Sequence, residues 1–113
     1  MKYRKEITDL VSLLKVFDIN FVNSQDCNQL SGLDVNSDVD VQRVINNLLM
    51  PEFANDLPES QKKILEGLHS YLSDEAENFS RLFDRIELAF DGALIDHRHF
   101  MSMIFNELNS MSD

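Results

Sequence analysis

The string Asp34-Val35-Asn36-Ser37-Asp38-Val39-Asp40 sets carboxylate or amide oxygens at alternate positions, the way calcium loops of the EF-hand or dockerin type begin. Such oxygens can converge on one hard cation. Counted from Asp34, however, the sixth place holds Val39, where the sharp turn needs glycine. The twelfth holds Ile45, where a bidentate carboxylate belongs and where the helical pattern demands an inward apolar residue. The string reads as a solvated helix N-terminus, and no metal or cofactor is expected.

The other residues able to do chemistry are scattered. His97 and His99 stand two apart, which on a helix turns them about 160° from each other, so they cannot share a metal in the usual i, i+4 way. His97 projects to the apolar side of its helix and His69 to the flank of another, as packed or boundary histidines do. Cys27 has no second cysteine for zinc and no identifiable base, and reads as a buried or incidental thiol. Gly32, Gly67 and Gly92 are isolated, so no phosphate-cradling loop is present. Acidic pairs abound, but nothing marks a pair with separated acid and base roles. No enzyme is expected.

What stands out is charge. Setting aside Lys2, Arg4 and Lys5 leaves 7 basic residues against 20 acids over residues 6–113, a balance of −13. From Asp18 to Glu59 eight acids meet a single base, Arg43. Over residues 74–91, by contrast, Arg81 and Arg85 interleave with the acids, and Glu77 precedes Arg81 in the favourable i, i+4 order. An uncompensated negative flank repels nucleic acid and anionic lipid and attracts basic protein surfaces. The carboxylates expected to meet such a partner are Asp34, Asp38, Asp40, Glu52, Asp56 and Glu59. The plain alternative is that the acids only keep the protein soluble.

These residues must be positioned by helices. At 113 residues and 43% apolar content the chain is expected to be one domain, residues 1–113, with a real core. Ile7, Leu10, Val11, Leu14 and Phe17 form one helical arc. Ser37 should cap a second helix with Asp38 and Asp40 in its first turn, a buried stripe of Val41, Val44, Ile45, Leu48 and Leu49, and a stop at Pro51. Pro58 suits the first turn of a third helix, with Ile64, Leu65, Leu68, Tyr71 and Leu72 inward. The stripe Ala76, Phe79, Leu82, Phe83, Ile86 and Phe90 continues nearly in phase; Ser73 with Asp74 and Glu75 suggests a bend or a fresh helix, and Gly92 an end. Asp96 then caps a last helix with Phe100, Met101, Ile104, Phe105 and Leu108 inside. Residues 18–37 form a long polar connection with a short helix expected near Gln25–Leu30. The expectation is an all-α single compact bundle of about five helices.

Leu88 and Met103 project onto polar helix faces, and Phe21 and Val22 lie in the long connection; these are candidate apolar anchors. The basic N-terminus followed by Ile7, Leu10 and Val11 is interrupted by Glu6, Asp9 and Lys15 and lacks a cleavage site, unlike a signal peptide. No apolar stretch approaches a membrane span, and the lone cysteine suits a reducing compartment. A soluble cytoplasmic protein is expected.

In size, acidity and helical pattern, with Asp34, Asp38, Asp40, Glu52, Asp56 and Glu59 as the acidic surface, the chain resembles bacterial immunity proteins that guard against contact-dependent growth inhibition toxins or nuclease bacteriocins. The resemblance implies an inhibitor that covers the basic cleft of a cognate nuclease toxin. Two alternatives stand beside it. One is a nucleic-acid-mimicking antagonist of a DNA-binding enzyme, whose carboxylate array Lys62, Lys63, Arg81 and Arg85 would dilute. The other is a helical adaptor or regulatory protein that binds through an apolar face.

Overall fold

The computed structural model describes residues 9–90 and 92–111, and their regular structure is helical. Helix α1 covers residues 9–13 and tightens into a 3-10 turn over Leu14–Phe17. Leu10, Leu14 and Phe17 are buried as the arc required, and Leu13, outside that arc, is buried too. Ile7 and the side chain of Cys27 lie outside what the structure describes. Helix α2 is Ser24–Leu30, where a short helix was expected, and Asn23 accepts the Asp26 N–H at 2.7 Å ahead of it.

Helix α3 spans residues 38–55 as three continuous pieces: Asp38–Val44, a wider π-helical turn Ile45–Leu49, and Met50–Asn55. Ser37 caps it, accepting from the Asp40 N–H at 3.4 Å, and all five residues of the expected stripe are buried. Pro51 does not close the helix. An interior proline lacks a donor and collides with the carbonyl four residues back. Here the chain widens just before it, the Met50 N–H reaching Ile45, and helical structure runs on to bury Phe53. The terminal carbonyl of Phe53 accepts from the Gln61 side chain at 2.8 Å.

Helix α4, Pro58–Ser73, starts on Pro58 and buries Leu68 and Tyr71. The break at Ser73 exists, but residues 74–90 do not form the long helix expected. Only Ser80–Phe83, α5, is helical before Phe90. The physical reason is local competition. Side chains of Asp74, Glu77 and Asn78 each take the backbone N–H two residues ahead, at 3.0, 2.8 and 3.0 Å, and so remove donors from the helical ladder. Phe79 then sits in the left-handed region at φ 62°, an uncommon conformation for a bulky residue, and turns the chain. Glu77 is thus engaged locally, and the expected i, i+4 pairing with Arg81 has no helix to carry it. Phe79, Leu82, Ile86 and Phe90 are nonetheless buried, whereas Ala76 is exposed. Leu88 leaves the polar face assigned to it: Asp18 and Leu88 form an isolated antiparallel bridge, with Ile19 N–H to Glu87 at 2.7 Å and Ala89 N–H to Phe17 at 2.8 Å.

Helix α6, His97–Met111, is the hub of the packing. It lies against α4 and against both the π turn and the last turn of α3. Phe100, Met101, Ile104 and Leu108 are buried, with Phe105 at the margin. Phe100 meets Phe17, Phe83 and Phe90 with ring centroids 6.0–6.2 Å apart and steep interplanar angles, the edge-on geometry aromatic rings prefer. Arg98, next to that cluster, donates to the carbonyls of Leu72, Asp74 and Glu77 at 2.7–2.9 Å and so ties the open end of α4 to α6. No helix among the described residues is long and apolar enough to cross a membrane.

Candidate functional site

The carboxylates singled out by charge balance fall into two groups. Asp34, Asp38 and Asp40 stand together at the start of α3, whereas Glu52, Asp56 and Glu59 lie about its end and the start of α4. At 1.5 Å rise per residue the helix separates Asp38 from Glu52 by roughly 20 Å.

The second group is partly compensated. Glu52 and Asp56 border a cleft of about 280 Å³ that also contains Lys15, Lys63 and Asp9. Lys63 lies 3.9 Å from Asp9. Leu13, Val16, Phe53 and Ile64 supply its apolar lining. Glu59 is exposed and does not line it.

The first group sits beside a hollow of about 160 Å³, between the start of α3 and the start of α6. Val35, Val41, Leu94, Phe100 and Met103 supply its apolar lining, and Asn36, Asp38, Asp96 and His99 its polar edge. No lysine or arginine lines it. Phe100 is therefore at once the centre of the aromatic core and a wall of the hollow. Met103, expected on a polar face, is half-buried here instead. Ile95, also in the lining, is 81% exposed, and Val39 next to Asp38 is 69% exposed.

Local hydrogen bonds fix these walls. Asp40 accepts the Asp34 N–H and Asp34 accepts the Asn36 N–H, both at 2.9 Å, which folds residues 34–37 tightly onto the helix start. Those two carboxylates are thus partly committed to the backbone. Asn36 then reaches across: its Nδ2 donates to the Ala93 carbonyl and its Oδ1 accepts the Ile95 N–H, each at 2.8 Å. Asp96 caps α6 by accepting the His99 N–H at 3.0 Å. Asp38 and His99 close the remaining edge, with Oδ1 and Nε2 2.8 Å apart. One side-chain oxygen each of Asp34, Asn36, Asp38 and Asp40 is thus engaged in the turn or in these ties. No group of three or more His, Cys, Asp or Glu among the described residues could hold a metal ion.

Asp38 and Met103, both singled out by the sequence, line the same hollow, together with Leu94 and Ile95, which the sequence did not single out. One signal was present. Ile95 immediately precedes the cap Asp96, where an apolar residue ordinarily packs on the fourth residue of the helix, here Phe100. Compared with models of protein families, with curated proteins and with solved structures, the chain matches none.

Proposed function

We propose that this chain is a non-catalytic inhibitor that binds a basic enzyme through the face bearing Asp34, Asp38, Asp40 and Asp96, a nuclease toxin being the partner class that fits. The observation that carries the reading is the acid-edged hollow: apolar lining, two carboxylates at its edge, and no lysine or arginine among its lining residues. Carboxylates without compensating cations speed encounter with a positively charged cleft built for phosphate. An apolar seat beside them slows release. The Glu52–Asp56 cleft, where Lys15 and Lys63 offset two of the three lining carboxylates, offers a basic partner less.

The apolar lining of the hollow also favours a second reading, a helical adaptor whose acidity is incidental. Salt separates the two. The immobilised chain, exposed to extract of the cells that make it and eluted in a salt gradient, is expected to release a basic enzyme at moderate salt. The purified enzyme, assayed on nucleic acid, is expected to lose activity in proportion to added chain. A salt-indifferent partner would favour the adaptor, and a basic partner that keeps full activity would end the inhibitor reading.

A further inference from the structure

The hollow is an apolar contact left unmade by the fold. The residue before a helix cap and the fourth residue of the helix usually pack together as a staple. Here Ile95 and Phe100 hold those positions and line the same hollow, yet Ile95 remains 81% exposed. The walls are fixed by Asn36 bonding to both Ala93 and Ile95, so the seat is held in place before anything binds. Around it the charge has one sign: Asp38 and Asp96 border it, and the only other titratable lining group is His99. A second copy of a chain with net charge −10 is a poor occupant for such an edge.

We propose that the hollow seats one large apolar side chain of the partner, carried next to a lysine or arginine that pairs with Asp38. This rests on the inhibitor reading and gives it a recognition element: a leucine-sized residue flanked by cations. The apolar side chain would cover Leu94, Ile95 and Met103, which are not fully buried, above a floor closed by Phe100. The neighbouring cation would displace or share the His99 contact on Asp38, whose carboxylate remains exposed to solvent.

The probes are three blocked tripeptides, Arg-Leu-Arg, Arg-Ala-Arg and Glu-Leu-Glu, titrated into the full chain and followed by methyl and side-chain amide NMR. Arg-Leu-Arg is expected to shift Met103, Ile95 and the Asn36 amide together. Arg-Ala-Arg should bind about tenfold more weakly, because most of the buried apolar area is gone, and Glu-Leu-Glu should not bind. Ile95→Ser, at an exposed position that the fold does not need, and Met103→Trp, which fills the seat, should each abolish the Arg-Leu-Arg shifts. Equal binding of the leucine and alanine peptides, or shifts centred on Lys15, Glu52 and Asp56, would overturn the assignment. So would signals at Ile95 and Met103 that vary with chain concentration alone, since a second copy would then hold the seat. If the tripeptides fail while a captured basic enzyme is still inhibited, the seat falls and the inhibitor reading stands. Specific Arg-Leu-Arg binding with no enzyme inhibited would leave the seat and remove the inhibitor.

Discussion

Asp38 and His99, sixty-one residues apart in sequence, meet at 2.8 Å and join the first turn of α3 to the first turn of α6. Their side chains are 65% and 52% exposed, so the pair is screened and contributes little to stability, under about 1 kcal/mol. Its consequence is local, because it occupies one oxygen of a carboxylate at the edge of the hollow. His99→Ala is expected to lower unfolding free energy by less than about 1 kcal/mol in urea titration. It should leave affinity for a basic partner unchanged or higher, since the Asp38 carboxylate is then free. A large loss of affinity would make His99 itself a contact residue.

Asn36 holds the other wall. Asn36→Ala removes both bonds to residues 93 and 95, which are exposed to water and together worth about 1 kcal/mol. The stability change is expected to be that small. Amide hydrogen exchange at Ile95 should nevertheless accelerate clearly, because its N–H loses its acceptor. Unchanged exchange there would mean that other contacts hold the wall.

How far the sequence reached depends on which force decides each segment. Where burial decides, the periodicity sufficed: Val41, Val44, Ile45, Leu48 and Leu49 are buried together, and Asp96 and Ser37 cap the helices they were expected to cap. Where local hydrogen bonding competes with burial, it misled. Phe79, Leu82, Ile86 and Phe90 are inside, but Asp74, Glu77 and Asn78 divert backbone donors and replace a helix with turns. The Pro51 error ran the other way, since a wider turn absorbed what proline forbids in a regular helix. Charge balance took Asp34, Asp38, Asp40, Glu52, Asp56 and Glu59 as one surface, and the fold sets the first three apart at the start of α3. Linear charge could not separate them from Glu52 and Asp56, because Lys15 and Lys63 come to the latter only through tertiary packing. Nor does linear charge reveal Ile95, which Asn36, fifty-nine residues earlier, ties to the edge of the hollow.

The aromatic cluster sets the largest stability effects. Phe100 is 1% exposed and touches three other phenyl rings, so Phe100→Ala is expected to cost about 3–5 kcal/mol in chemical denaturation. Phe83, expected inside from its spacing, is only half-buried and rests on His97 at 4.7 Å. Phe83→Ala should therefore cost less, below about 3 kcal/mol. The reverse order would place the centre of the core elsewhere.

Arg98 is a structural cation. Its guanidinium serves three carbonyls at once, a geometry the single ammonium of lysine cannot reproduce. Arg98→Lys is expected to destabilise by about 2 kcal/mol. Amide exchange should quicken at the end of α4 and in residues 74–77 before it does in α3. A uniform effect across the chain would mean that the guanidinium stabilises the whole fold and not this junction.

Charge reversals are expected to separate the two acidic groups. Asp38→Lys should weaken a basic partner strongly and flatten the salt dependence of its affinity, because the lost carboxylate stands at the edge of the hollow among lining residues that include no lysine or arginine. Glu52→Lys alters a cleft that already holds Lys15 and Lys63, and Asp84→Lys lies beyond both groups, so each should change affinity far less. All three side chains are exposed, and folding should survive, with a cost of about 0.3–1 kcal/mol for placing a cation at the N-terminal turn of α3. Affinities measured by calorimetry at two salt concentrations decide the matter. Three equal losses would mean that total charge, and not the carboxylates around the hollow, governs binding. A loss confined to Glu52→Lys would move the contact to the opposite end of α3.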